Sequence, residues 1–99
     1  MHVTIVRYRV KQGRTEENAD LVRAVYAELA ALEPEGFRYA TFILPDEVSF
    51  LHVAFLEDGA HAPLPDLPAF ARFTQDIGER CEDPPQTARG DALVGSYGL

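Results

Sequence analysis

The sequence has little of what several classes of protein require. Among its 99 residues there is one cysteine and no tryptophan. A single thiol excludes an intrachain disulfide, and a free thiol is typical of a reducing compartment such as the cytoplasm. No apolar run approaches the roughly 20 residues that cross a bilayer. Residues 1–7 lack the charged and apolar regions of a signal peptide. We therefore expect a soluble, cytoplasmic protein.

Positive charge is also scarce. Nine Lys and Arg stand against sixteen Asp and Glu, which gives a formal net charge of −7. Nucleic acids and anionic membrane surfaces attract basic proteins, so we expect neither as a partner. The overall composition is ordinary for a folded protein, with 46% hydrophobic and 25% charged residues. A chain of this length forms one domain with its own core, so we predict a single domain over 1–99.

Hydrophobic spacing predicts six elements along the chain. They are strands at 2–10, 37–44, 48–56 and 86–97, and helices at 16–33 and 67–82. The second and third strands flank a Pro-Asp-Glu turn and form a β-hairpin. The order β-α-β-β-α-β predicts an α+β fold of the ferredoxin-like type, which is an antiparallel sheet with two helices on one face.

The predicted strands carry apolar residues on both faces. In the strand at 48–56 both alternating sets are apolar: Phe50, Ala54 and Leu56, and Leu51, Val53 and Phe55. An antiparallel sheet with one face in water shows polar residues on that face. We therefore predict a homodimer packed sheet to sheet. The alternative is a twisted monomer that leaves an apolar patch in water.

Three stretches of the chain are similar to those of a known family. They are Tyr8–Arg14 (YRVKQGR), Glu35–Tyr39 (EGFRY) and Leu67–Phe73 (LPAFARF). They resemble the first strand-to-helix transition, the start of the second strand and the second helix of the dimeric α/β-barrel superfamily. Within that superfamily they resemble the antibiotic-biosynthesis-monooxygenase-like proteins, although Gln12 stands where proline is usual. All three stretches are signatures of a fold rather than of catalysis.

This resemblance implies a dimeric α/β barrel and an oxidation that needs no metal, flavin or other cofactor. Monooxygenases of this kind form a substrate carbanion that reduces oxygen directly, so a positioned base in an apolar pocket suffices. The resemblance thus implies oxidation of a small aromatic or quinol substrate, bound between the sheet and the helices. Haem-degrading relatives and some monooxygenases use a tryptophan, which this chain lacks, and no catalytic set of the family maps onto it. Because the same scaffold serves many roles, the alternative is a non-catalytic ligand-binding or structural module.

His52 is the candidate catalytic base. It stands between Leu51 and Val53 in a strand that is otherwise apolar, and imidazole is suited to accept a proton from a phenol or quinol. The alternative is a histidine hydrogen-bonded across the sheet or at the dimer interface. Tyr8 and Tyr39 are candidate substrate-binding residues through their hydroxyls. Whether Tyr39 and His52 share a face stays open, because the sequence does not determine the hairpin register.

Arg7 and Arg9 project from one face of the first strand, where two cations could hold an anionic ligand. The alternative is that they pair with Asp91 on the fourth strand or with the partner subunit. Cys81 occupies a core position of the second helix and is predicted to be inert. Asn18, near the start of the first helix, is expected to face solvent. The three histidines are far apart in sequence, so we expect no metal site.

Overall fold

Four strands and three helices follow one another in the predicted order. The structure is a computed structural model that describes residues 1–99. Its elements are β1 (His2–Val10), α1 (Thr15–Leu32), β2 (Phe37–Ile43), β3 (Ser49–Leu56), α2 (Pro68–Gln75), α3 (Ile77–Arg80) and β4 (Cys81–Gly90). The strands form one antiparallel sheet in the order β2-β3-β1-β4. The predicted α+β, ferredoxin-like fold is confirmed.

The core lies between one face of this sheet and the helices. Its buried members include Tyr8 and Val10 of β1, Phe50 of β3 and Phe73 of α2. On α1 the buried apolar residues are Ala19, Val22, Val25 and Leu29. These recur every three or four residues, so they form one stripe along the helix that faces the sheet. Alternation in the strands and helical spacing in α1 thus bring two apolar surfaces together.

The helix predicted over 67–82 is interrupted. Asp76 adopts φ −120° and ψ 26°, outside the helical region, and separates α2 from α3. Its carbonyl then accepts hydrogen bonds from the backbone N–H groups of Glu79 and Arg80. Asp and Gly are poor helix formers, and Gly78 lies two residues after Asp76, so a single helix is weakest at this point. The prediction that Cys81 lies on a helix was therefore wrong: Cys81 is buried, but it begins β4.

The fourth strand also differs from the prediction, because it begins at Cys81 rather than at residue 86 and ends at Gly90 rather than at residue 97. It pairs only with β1, so it is an edge strand. The pairing register shifts between Arg7 and Arg9 of β1, opposite Pro84 and Pro85. Proline has no N–H for the ladder and is tolerated at edges and bulges. Residues 91–99 lie beyond the strand and are exposed.

The other face of the sheet carries the apolar residues that led us to expect a partner. Val3, Leu51, Val53 and Phe55 are half-buried, and Phe42 is 55% exposed. We call these five residues and Ile5 the open face. None of the helices is both long enough and apolar enough to cross a membrane.

Candidate functional site

A cavity of about 440 Å³ lies between the sheet and the helices. Eleven of its nineteen lining residues are hydrophobic, so it suits the apolar body of a small molecule. Its walls include Val6, Tyr8, Tyr39, His52, Phe70 and Phe73. The segment between β3 and α2 closes one side with Leu64 and Pro65. Three of the five site residues predicted from the sequence, namely Tyr8, Tyr39 and His52, therefore meet at one cavity.

Tyr39 and His52 lie on the same face of the sheet. The hairpin register places Thr41 opposite His52 and Tyr39 opposite Ala54. The Tyr39 hydroxyl is 2.7 Å from Nδ1 of His52, and the Thr41 hydroxyl is 3.1 Å from the same nitrogen. Thr41 also bonds to the hydroxyl of Tyr26 on α1, at 2.8 Å. The register, which the sequence left open, thus joins Tyr39 and His52 in one polar cluster.

The other ring nitrogen of His52 is also occupied. Its Nε2 lies 2.8 Å from the hydroxyl of Tyr8, and the side-chain amide of Asn18 donates to that same hydroxyl at 2.8 Å. Asn18 is fully buried, so the expectation that it faces solvent was wrong. It belongs to the buried stripe of α1, four residues before Val22 and seven before Val25. That spacing, rather than the residue type, was the signal that could have identified it.

Arg80 extends the cluster away from the cavity. It is 2% exposed, and its Nε donates to Oδ1 of Asn18 at 3.1 Å. A second guanidinium nitrogen donates to the backbone carbonyl of Phe73, and the guanidinium lies 5.6 Å from the centre of the Phe73 ring. Arg80 lies seven residues after Phe73 and three after Ile77, so the spacing of the predicted helix places it on the apolar stripe, but it was not predicted as a site residue. We call the series Arg80, Asn18, Tyr8, His52 and Tyr39 the hydrogen-bond chain.

Burial keeps the three members of the hydrogen-bond chain that lie on the sheet neutral. It lowers the pKa of His52 from its ordinary value of 6.5 to about 4, so the imidazole is uncharged at pH 7. Burial also raises the pKa of both Tyr8 and Tyr39 above the ordinary value, so both remain phenols. At Tyr8, Tyr39 and His52 the wall of the cavity therefore offers neutral hydrogen-bonding groups. No buried side-chain nitrogen or oxygen lacks a hydrogen-bond partner.

Arg7 and Arg9 do not join this cluster. Both are exposed, and they alternate in β1 with Val6 and Tyr8, which line the cavity, so they lie on the opposite face of the sheet. Nε of Arg9 pairs with Asp83 at 3.0 Å. The expected partner, Asp91, lies beyond the end of β4, so that prediction was wrong. No group of three or more His, Cys, Asp and Glu side chains is placed to hold a metal ion.

Comparison with known proteins identifies the fold. No protein-family model matches the chain, and no curated protein matches it. Among solved structures, a Nitrosomonas europaea protein named for the antibiotic biosynthesis monooxygenases has a TM-score of 0.74 at 17% identity, over 97% of this chain and 93% of that one. SnoaB from Streptomyces nogalater, a cofactor-independent oxygenase, has a TM-score of 0.68 at 18% identity, over 99% and 98%.

Other similar structures belong to proteins without an assigned function. One from Bacteroides thetaiotaomicron has a TM-score of 0.65 at 19% identity, over 90% of this chain and 94% of that one. The predicted resemblance to the antibiotic-biosynthesis-monooxygenase-like proteins is thus confirmed at the level of the fold. At these identities the comparison concerns architecture, and activity has to be argued from the site.

Proposed function

We propose that this protein is a cofactor-independent monooxygenase that oxidises a small aromatic or quinol substrate in the cavity between sheet and helices. The observation that carries the proposal is the Tyr39–His52 pair, 2.7 Å apart at the wall of an apolar cavity. The cavity binds the aromatic body, and the hydroxyl of Tyr39 contacts a polar atom of the substrate. The similarity of the fold to a cofactor-independent oxygenase supports the same reaction class.

The reaction needs only the substrate and dioxygen. An activated C–H bond gives its proton to solvent and leaves a carbanion, which transfers electrons to dioxygen. The peroxide anion that forms takes up a proton from solvent and becomes a hydroperoxide. Loss of water from the hydroperoxide leaves a new carbonyl group, so that a CH₂ group and O₂ become C=O and H₂O. The substrate supplies all four electrons. The protein contributes an apolar cavity and a hydroxyl that stabilises negative charge as it develops on the substrate.

His52 acts in this proposal through Tyr39, which it positions by the hydrogen bond at Nδ1. The direct base role predicted from the sequence would require one of two hydrogen bonds to break, because both ring nitrogens are engaged. The low pKa of His52 also makes it a weak base. The same two observations favour the second candidate function, a module that binds a small apolar or aromatic ligand without turnover.

Oxygen consumption separates the two functions. The wild-type protein is mixed with two- and three-ring aromatic ketones and hydroxyarenes that carry an acidic C–H bond, under ¹⁸O₂. Substrate-dependent oxygen uptake with ¹⁸O in the product supports the oxygenase. Ligand-dependent stabilisation against thermal unfolding without uptake supports the binding module. Tyr39→Phe is expected to lose uptake while remaining folded, and Tyr97→Phe, which removes a hydroxyl from an exposed residue, is the matched control. Full oxygen uptake in both Tyr39→Phe and His52→Ala would show that the hydrogen-bond chain takes no part in the mechanism.

We also propose that the active form is a homodimer joined through the open face. Phe42, Val53 and Phe55 leave apolar surface in water when the chain is alone. A second copy covers the same residues on both subunits, as a two-fold interface requires.

A further inference from the structure

Arg80 fixes which groups donate and which accept along the hydrogen-bond chain. A guanidinium group has five N–H donors and no acceptor. The side chain of Asn18 must therefore turn its oxygen toward Nε of Arg80, at 3.1 Å. Its amide nitrogen then points to the hydroxyl oxygen of Tyr8, at 2.8 Å, as a donor. Because Arg80 and Asn18 are both buried, no water competes for this orientation.

Each later member follows from the one before it. The hydroxyl of Tyr8 has a single hydrogen, and its two partners are the amide nitrogen of Asn18, which only donates, and Nε2 of His52. Because a buried hydroxyl hydrogen needs an acceptor, it goes to Nε2 of His52. A ring nitrogen that accepts carries no hydrogen. The neutral imidazole therefore has its one hydrogen on Nδ1, which donates to Tyr39 at 2.7 Å and to Thr41 at 3.1 Å.

Tyr39 is the last member of the hydrogen-bond chain. Its oxygen accepts from His52 at 2.7 Å, and the other hydroxyl group beside it is that of Thr41. The hydroxyl of Thr41 is already engaged with Tyr26 and with Nδ1 of His52, so the hydrogen of Tyr39, which lines the cavity, remains available to an acceptor there. A donor of this kind at an apolar wall gains a hydrogen bond when a ligand or a water molecule supplies an acceptor.

We infer that Asn18 is a positioning residue that sets the direction of the chain, so that Tyr39 donates a hydrogen bond into the cavity and selects ligands with an acceptor atom there. A carbonyl or ether oxygen fits, whereas a group that can only donate does not. The inference deepens the proposed function in that it takes the cavity as the substrate site. It adds that the specificity of this site is set by a residue that contacts no ligand.

One isosteric substitution reverses the direction of donation along the hydrogen-bond chain. In Asn18→Asp both side-chain oxygens are acceptors, so Tyr8 donates to Asp at position 18 instead of to His52. Nε2 of His52 must then donate to Tyr8, and Nδ1 becomes an acceptor for the hydroxyl of Tyr39. Tyr39 consequently turns its lone pairs toward the cavity and favours a donor ligand. Arg80, which has no carboxylate partner in the wild type, pairs with the new carboxylate.

The tautomer of His52 tests this directly. ¹⁵N NMR at pH 7 distinguishes a ring protonated on Nδ1 from one protonated on Nε2, and the signal that disappears in His52→Gln identifies the residue among three histidines. The expected form is Nδ1–H in the wild type and Nε2–H in Asn18→Asp. Gln75→Glu, which adds the same charge at an exposed residue, should keep Nδ1–H. Finding Nε2–H in the wild type would overturn the inference without any ligand.

Three bicyclic probes test the selectivity: 1-tetralone accepts hydrogen bonds only, indole donates only, and tetralin does neither. The wild type should bind 1-tetralone about five- to tenfold more tightly than tetralin, the effect of about one hydrogen bond. Asn18→Asp should prefer indole to 1-tetralone, and Tyr39→Phe should not discriminate. Equal affinity of the wild type for 1-tetralone and tetralin, or no binding of any probe, would contradict the inference.

The proposed function can fail separately. Selective binding of 1-tetralone with no oxygen uptake by any substrate would keep the inference and reject the oxygenase. Oxygen uptake combined with an Nε2–H tautomer in the wild type would support the oxygenase and reject the inference.

Discussion

The hydroxyl of Tyr8 lies 2.8 Å from Nε2 of His52, and the two residues are only 2% and 4% exposed. Each side chain brings a polar group into the core, and such a group is costly to bury unless it is hydrogen-bonded. The hydroxyl of Tyr8 satisfies two other buried groups: it bonds to Nε2 of His52, and it accepts from the amide of Asn18. The contact therefore joins the centre of the sheet to α1 and holds the wall of the cavity in place.

Tyr8→Phe should lower the free energy of unfolding by about 2–3 kcal/mol. It leaves Nε2 of His52 and the amide of Asn18 without partners in the core, and an unsatisfied buried group costs about 1–3 kcal/mol. Urea unfolding measures the change. Tyr26→Phe is the matched control: it also removes one hydroxyl, but Tyr26 is half-buried and its partner Thr41 keeps the contact with His52. An equal or larger loss in Tyr26→Phe would contradict the role given to Tyr8.

His52 should make stability depend on pH in the acid range. Burial lowers its folded-state pKa to about 4, while its ordinary value is 6.5. Between these values the unfolded chain binds a proton that the folded protein does not, so stability is lost as pH falls from about 7 to about 4. The gap between the two pKa values corresponds to at most about 3 kcal/mol.

The comparison variant for this prediction is His52→Gln, which does not titrate. Urea unfolding at pH 7 and pH 5 should show a larger loss of stability in the wild type than in this variant. Carboxylates with lowered pKa, such as Asp46, titrate in both proteins, so their effect cancels in the difference. Parallel pH dependences would mean that His52 is solvated or charged in the folded protein.

Gly36→Ala should destabilise the protein more than Gly59→Ala. Both glycines have positive φ, 72° and 80°, which costs a residue with Cβ about 1–2 kcal/mol. A Cβ at Gly36 would also lie 2.9 Å from Cβ of Ala60, whereas at Gly59 nothing lies within 4 Å. We expect about 2–4 kcal/mol for Gly36→Ala and about 1–2 kcal/mol for Gly59→Ala. Thermal and urea unfolding of the two variants would disprove the packing argument if the losses were equal.

Val53→Asp should separate the homodimer. Val53 lies in β3 on the open face, paired with Ile5 and Ala40, so a carboxylate there would put a charge into the apolar part of a sheet-to-sheet interface. Sedimentation equilibrium should give twice the 11.0 kDa of one chain for the wild type and a single chain for the variant. Ala30→Asp, at an exposed position of α1, should remain dimeric. A wild-type protein that sediments as one chain would reject the dimer.

The order of the elements and the two-faced strands were predictable from the sequence because they depend on local periodicity. Alternation along β1 separates Tyr8, which lines the cavity, from Arg9, which does not, and helical spacing places Val22 and Val25 in the core. Sequence reasoning failed where a residue type was weighed above its position. Asn18 was expected in solvent because it is polar, although it lies on the same stripe as Val22.

By itself, the sequence determined that this chain alternates strands and helices and that its strands are apolar on both faces. Only the tertiary structure decided the candidate site. The hairpin register joined Tyr39 to His52, and the packing of the helices brought Arg80, the last residue of α3, to Asn18 on α1, 62 residues away along the chain. Such pairs depend on how separate elements pack, and no local pattern encodes the distance between their side chains. The physical reason is that a buried polar group needs a partner, and folding supplies that partner from a distant part of the chain.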